Sequence, residues 1–384
     1  HLAVLWRLQR ERLVRVVALV DAFADNLDEG KIRRYVPEFR TSGITLSTDA
    51  DAAIRNAPLD ALYVAIPPGV HRGEIVTAAN LGVHLFVEKP VSLYLDEAVE
   101  MDAAIRTSGV IATVGFQQRY DARHEAVRDY LADKRILMAT VVSHAPLEGH
   151  SVKHTATERL GGPPNRVWTA NAEWSGTTVV EAGIHQTDLL RYWIGDIAWV
   201  EAHYVHRDPD DVVDGGNNPY AYTVTYGFEN GAVANLILSR LRRAFFSDGY
   251  QCVLWTHGAV KIEGGEVAAY TYDGDYPPSQ MPSRDATRHV LPVPRRVEST
   301  EGISRAFVNA IATGNADGLR SPFPSSLNSH AAVLGANVSD RLDGARVDCK
   351  ALLTDARYAE YRSKPSLPET TNRVWNRHTP RPDN

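Results

Sequence analysis

Apolar positions along this chain keep two alternating rhythms for its first third and a single one for most of the rest. Leu2, Leu5 and Trp6 recur at helical spacing, and RLVRVVALVDAF then turns β-branched and almost continuously apolar as far as Asp21. That pattern predicts a helix over 1–9 and a buried strand over 14–20. ALYVAI (61–66), VHLFV (83–87) and GVIATVGF (109–116) are short, rich in Val and Ile, and bounded by Gly, Pro or charge, as strands of a parallel sheet are. Between them lie helical stretches. In one of these Tyr94, Ala98, Met101 and Ile105 share a face, with Asp96 and Glu97 near the first turn, where the helix dipole favours acids. Alternating β and α implies an α/β, Rossmann-like doubly wound parallel sheet, whose ligands sit beyond the carboxyl ends of its strands. VEKPVSL (87–93) places Glu88 and Lys89 at one such end.

After Tyr120 strands dominate. A helix over 121–133 leads to ILMATVVSHA, a loop bearing Gly, Pro and Trp (161–176), and a single helix expected from Thr178 to Ile194. IAWVEAHYVH, YAYTVTYGF, AVANLILSRL, QCVLWTH and AVKIEG then read as a mainly antiparallel meander, followed by helices at GISRAFVNAIATG and SSLNSHAAVLGANVSDRL. The expected organisation is a dinucleotide-binding domain over 1–119, an α+β substrate and oligomerisation domain with a large open sheet over 120–349, and an extension over 350–384. The last residues, rich in Pro, Arg and Asn, read as a wrapping arm or a disordered tail.

Composition narrows the partners. With 384 residues the chain exceeds the roughly 250–300 at which one core stops growing, which fits two domains. A net charge of −6 offers no electrostatic footprint for nucleic acid. No apolar run approaches the roughly 20 residues that span a bilayer. Two cysteines, Cys252 and Cys349, are too few for a disulfide framework and fit a cytoplasmic setting, with export left open by the way the chain begins.

A dinucleotide-binding unit needs a first strand, a Gly-rich turn, a helix, a second strand and an acid at that strand's end for the ribose hydroxyls. His1 to Gln9 supplies the helix, the stretch from Val14 the second strand, and Asp21 the acid. No G-x-G-x-x-G precedes them. The preferred expectation is an N-terminal truncation, with the first strand and turn, on the order of ten to fifteen residues, belonging to the natural protein. Such a chain would bind cofactor poorly. The alternative is a protein that opens on a helix, binds no dinucleotide, and uses Asp21 merely to end a strand.

VVEAGIHQTDLLRYWIGD (179–196), if helical, aligns Glu181, His185, Asp188 and Tyr192 in one polar stripe. The plain reading of such a stripe is a solvated face. Against it, Gly183 in a helix interior costs about 1 kcal/mol relative to alanine, which is explained if something approaches the backbone closely. His150 and His154 have a helical metal-ligand spacing but sit in a polar stretch with no third ligand in view, so no metal is expected. Trp168 and Trp174 are candidates to stack on an apolar sugar face or to anchor their loop.

VEKPVSL, VGFQQRYD and EAGIHQTDLLRYWIGD, in that order and spacing, resemble the Gfo/Idh/MocA family of glucose-fructose oxidoreductases and inositol dehydrogenases, and AFVNAIATGN resembles the family's late helix. The likeness runs from His1 to about Val347. It implies a nucleotide-binding domain followed by an α+β domain whose open sheet serves homo-oligomerisation. It further implies that Lys89 reaches the substrate's reacting oxygen beside an X-Pro bond that is often cis, that Glu88 shapes the nicotinamide site, and that His185 is the acid or base. Glu181 stands where the family usually has aspartate. Asp188 matches a position that contacts substrate hydroxyls, Arg119 and Tyr120 match a substrate-facing strand end, and Trp168 joins them as a substrate candidate. Pro67 and His71, in PPGVH, resemble positions near the cofactor, the alternative for His71 being that it only begins a helix.

The chemistry is coherent on its own terms. Oxidising a secondary alcohol takes a base for the hydroxyl proton, a cation for the developing alkoxide and a hydride acceptor. Imidazole titrates near neutrality, so His185 suits the first role, Lys89 the second and a nicotinamide the third. Asp21 would repel a 2′-phosphate and DAFADN brings no arginine to meet one, so NAD is expected over NADP. The expected function is an NAD-dependent oxidoreductase acting on a ring hydroxyl of a sugar, cyclitol or derivative. Its rivals are a glycosidase that oxidises transiently and a sugar-sensing regulator without turnover.

Overall fold

In a computed structural model, which describes residues 1–146, 167–212, 216–241, 248–271 and 286–364, the early alternation becomes two parallel ladders. Helix α1 (Leu2–Arg10) buries Val4 and Leu8 and leads to β1 (Ala18–Val20), which pairs with β2 (Thr45–Ser47). The second ladder holds β3 (Ala61–Val64), β4 (His84–Val87) and β5 (Ala112–Val114), with β4 in the middle. A middle strand is covered on both faces, which is why Leu85, Phe86 and Val87 are fully buried. The crossovers are α2 (Glu74–Asn80) and α3 (Leu95–Ser108), and α3 buries Leu95, Ala98, Met101 and Ile105. The strand expected over 14–20 shrinks to three residues, because among the described residues it pairs only with β2, itself three residues long. Among the described residues no ladder joins β1–β2 to β3–β5.

The second domain begins with α4 (Ala122–Leu131) and β6 (Ile136–Pro146), and continues through α5 (Thr178–Glu181) and α6 (Gly183–Ile194). Strands β7 (Ile197–Val205), β8 (Ala221–Phe228), β9 (Val233–Leu241), β10 (Asp248–Trp255), β11 (Gly258–Glu263), β12 (Glu266–Thr271), β13 (Thr287–Val290) and β14 (Val347–Asp348) complete it. The sheet runs β13-β12-β11-β10-β6-β9-β8-β7-β14, antiparallel throughout except for the parallel β6–β9 pair. Tyr222, Val224, Tyr226, Leu236 and Leu238 alternate inward and are buried.

The chain then returns to its beginning. Helix α7 (Ser299–Thr313) sets Ile303, Phe307 and Ala310 against Phe86 and Tyr120 in a core of their own. Tyr63 stacks on Phe86 at 4.5 Å, and Phe307 meets both rings edge-on. Arg7 pairs with Glu301, while Arg305 bonds both Glu301 and Glu11, tying α1 to α7. Ser321 accepts the Val114 N–H at 2.9 Å and Pro322 bridges Thr113, so this segment flanks β5 as an added antiparallel rung. Helix α8 (Phe323–Arg341) packs on both β7 and α3. Beyond it, Arg362 and Ser363 bond the Asp96 carboxylate at 3.1 and 2.6 Å, so the extension wraps onto the first domain as far as Lys364. Residues 365–384 lie outside the described residues. None of the described helices is long and apolar enough to cross a membrane.

Candidate active site

The carboxyl ends of β1, β3 and β4 carry the residues that the alternation marked. At the end of β1, Asp21 accepts the Phe23 N–H and the Asn26 amide at 2.9 and 3.0 Å and stays partly exposed. Past β3, Pro67 opens a turn closed by the Val70 N–H on its carbonyl. His71 is buried and its Nδ1 pairs with Glu74, which also accepts the Arg72 N–H at 2.8 Å. Burial would raise the Glu74 carboxyl, but the bonds from His71 and Arg72 outweigh it and hold the group below its ordinary range. His71 therefore braces the start of α2.

Glu88 continues the β4 ladder by one bond, donating its N–H to Val64 O at 2.8 Å, and the Lys89–Pro90 bond that follows is cis. His1 Nε2 lies 2.6 Å from Glu88 Oε1, and the His1 ring stands edge-on to Phe86. This carboxylate fits only because residue 115 is glycine: a Cβ there would sit 2.6–2.7 Å from its atoms. Composition and period marked neither His1 nor Gly115. The usable signal was a glycine directly after a buried strand, where another chain segment must come close.

Lys89 crosses to the second domain. Its Nζ donates to the Glu181 carbonyl at 2.7 Å and lies 3.2 Å from Glu181 Oε1, and both side chains are largely buried. The helix expected over 178–194 is in fact two, broken at Ala182. The His185 N–H bonds Ala182 O at 3.2 Å, three residues back, and so bypasses the carbonyl that Lys89 occupies. A lysine has taken one rung of the ladder. Glu181 thus ends α5, and His185 lies in the first turn of α6, half-buried. What approaches Gly183 closely is Leu238 of the sheet, 3.1 Å from where a Cβ would stand, so this glycine serves helix-on-sheet packing.

The structure gives Arg119 and Asp188 to each other. Nε and Nη2 of Arg119 meet the two carboxylate oxygens at 2.7 Å each, Ser329 Oγ adds a bond at 2.8 Å, and both charged side chains are buried. Burial disfavours the Arg119 cation, but the Asp188 charge more than reverses this and raises its pKa above the ordinary value. Tyr120 is also buried, its hydroxyl accepting the Arg320 N–H at 2.9 Å under the Arg320 guanidinium. These three expected substrate contacts are engaged inside the fold, where they pin the end of β5 to α6 and to residue 320. Trp168 belongs to a short 3₁₀ turn (Val167–Ala170) and its side chain lies outside what the structure describes, as do His150 and His154. Trp174 is partly buried in a short helix, Ala172–Ser175. Among the described residues no group of three or more His, Cys, Asp or Glu could hold a metal.

Two family models match this chain: an oxidoreductase-family NAD-binding Rossmann fold over residues 7–116, and that family's C-terminal alpha/beta domain over 150–252. The uncharacterized oxidoreductase YrbE of Bacillus subtilis is 28% identical over 236 residues, 61% of this chain and 64% of that protein. Scyllo-inositol 2-dehydrogenase (NAD(+)) of the same organism is 28% identical over 217 residues, 56% of this chain and 58% of that protein. The matches thus span less than two thirds of either relative. An oxidoreductase from Agrobacterium radiobacter, solved with NAD+, L-tartaric acid and magnesium, superposes with a TM-score of 0.65 at 20% identity, covering 88% of this chain and 92% of that one, which establishes likeness of fold.

Proposed function

Because the chain belongs to the Gfo/Idh/MocA oxidoreductase family, with that family's NAD-binding Rossmann domain at its start, we propose that it moves a hydride to or from a ring secondary alcohol of a sugar, cyclitol or related polyol, using NAD. One observation carries this reading: an ammonium from the nucleotide domain rests on the turn that immediately precedes His185 in the other domain.

The residues present fit the ribose and nicotinamide parts of a dinucleotide, and the glycine-rich turn that cradles a pyrophosphate is not among the described residues. Asp21 would meet the adenosine ribose, the Pro67 turn the middle of the molecule, and Glu88 and Lys89 the nicotinamide end, all at the carboxyl edge of parallel strands. The space that Gly115 leaves is what lets the Glu88 carboxylate occupy that end. When bound, nicotinamide supplies the hydride acceptor or donor. The chain's own residues supply the rest. Lys89 offers a fixed positive charge to an alkoxide oxygen, and His185 takes or returns the hydroxyl proton. Glu181 holds Lys89 between turnovers, while the Arg119–Asp188 pair fixes the rotation of α6, on which His185 lies one turn before Asp188.

Likeness to an inositol dehydrogenase supports a cyclitol or sugar substrate and does not favour the transient-oxidation glycosidase. Buried free Cys252 and Cys349 support a reducing, cytoplasmic setting. The test is NADH absorbance at 340 nm across a panel of inositols, aldoses and anhydrosugars. Lys89→Ala and His185→Ala are each expected to lower turnover by about 10²–10⁴. Near-unchanged turnover in either variant removes that residue from the proposal.

A further inference from the structure

Thr177 has a backbone that a β-branched residue rarely adopts, φ +96° and ψ +166°. Such a conformation persists only where the surroundings hold it. Ser175 Oγ accepts the Thr177 N–H at 3.3 Å, and the rest of the hold comes from one side chain of α8. Asn337 Nδ2 donates to Gly176 O at 2.5 Å, and its Oδ1 accepts from Thr177 Oγ1 and from Tyr204 OH, both at 2.9 Å. Burial pushes the Tyr204 hydroxyl well above its ordinary pKa, so it stays protonated and remains a donor. The held residue is in turn the start of α5. Thr177 O accepts the N–H groups of Val180 and Glu181 at 3.2 and 3.0 Å, and the one turn so formed ends at the carbonyl and carboxylate that receive Lys89.

We propose that Asn337 is a positioning residue: by holding Thr177 in its strained conformation it sets where Glu181 stands, and so where the Lys89 ammonium rests. Its importance for turnover rests on the role proposed above for Lys89, whereas its effect on the lysine can be read without turnover or cofactor.

The experiment is pulsed acetylation of the whole chain with acetic anhydride, with Lys89 followed by peptide mass spectrometry and the exposed Lys350 as internal reference. Glu181→Ala, which removes the carboxylate contact directly, calibrates the response. Asn337→Ala is expected to raise Lys89 labelling by about fivefold or more while Lys350 stays constant. Thr177→Gly added to Asn337→Ala is expected to bring labelling back to within about twofold of the parent, because glycine adopts a positive φ without a clamp. Should the alanine variant fail to fold, Asn337→Asp keeps the shape and removes the donor to Gly176, and is read in its place. Unchanged Lys89 labelling in the Asn337 variant overturns the proposal, and so does a double variant that stays as reactive as the single one. If Glu181→Ala leaves Lys89 unchanged, the Lys89–Glu181 contact and everything resting on it fall together. Retained turnover in Lys89→Ala would count against the catalytic reading alone.

Discussion

One missing methyl group keeps the nucleotide side of the site open. Gly115→Ala would drive a Cβ into the Glu88 carboxylate and push it off His1; because that carboxylate is the free end of a flexible, partly exposed side chain that can swing aside, the cost should be no more than about 1 kcal/mol. Urea midpoints should show that loss, and the same substitution made in Glu88→Ala should cost under about 0.5 kcal/mol, because the obstructing carboxylate is gone. Equal losses in both backgrounds would mean that Gly115 serves the strand instead. At this scale the sequence was informative about which residues bear chemistry and silent about their partners. Lys89 and Glu181 were visible as charges at the edges of apolar elements. Arg119 and Asp188 were visible in the same way, yet a contact between residues 69 positions apart leaves no local trace, so two residues that neutralise each other looked like two that await a ligand.

Elements were legible where period and length agreed. The face of α3 and the alternation of β8 and β9 follow from spacing alone. The break at Ala182 does not: Gly183 beside it is a poor helix former, but one glycine does not place a break, and the interruption comes from a distant lysine competing for one carbonyl. Helix α6 is held in rotation by the Arg119–Asp188–Ser329 cluster. Asp188→Asn leaves a buried guanidinium facing a neutral amide and should destabilise the chain by about 3–5 kcal/mol in urea unfolding, as broken buried pairs do. A loss under about 1 kcal/mol would show that the pair is hydrated in solution and does not fix the helix.

For the whole molecule, acid is the weak side. Burial, opposed in part by Asp121, holds the His124 imidazole down to about 4, and burial likewise holds His330 at about 4 against the backbone of Ser92. Both stay neutral in the fold but protonate near 6.5 once unfolded. Between about pH 6.5 and 4 the unfolded chain therefore takes up protons that the folded one refuses, and stability should fall by up to roughly 3 kcal/mol per histidine, with no contribution from either above that window. Melting temperatures across pH 4–8 check this, and His330→Met should flatten the slope. The outer face of the large sheet is the second feature at this scale. Met138, Val142, Ile237, Tyr250 and Leu254 share it by register, and Tyr250 and Leu254 are substantially exposed. Were the chain to self-associate, that face is the surface expected to be covered. Light scattering should report an assembly that Leu254→Glu with Val142→Glu dissociates, whereas an unchanged mass would exclude the face.

The return of residues 299–322 to the opening domain has a consequence for how the polypeptide is made. Tyr63 and Phe86 emerge from the ribosome early, but Phe307, which covers them, is translated more than two hundred residues later. Until then the nascent chain carries an uncovered aromatic surface. Release of the first 119 residues as a separate product would leave that surface permanently wet, a target for chaperones and proteases rather than an independent nucleotide-binding module.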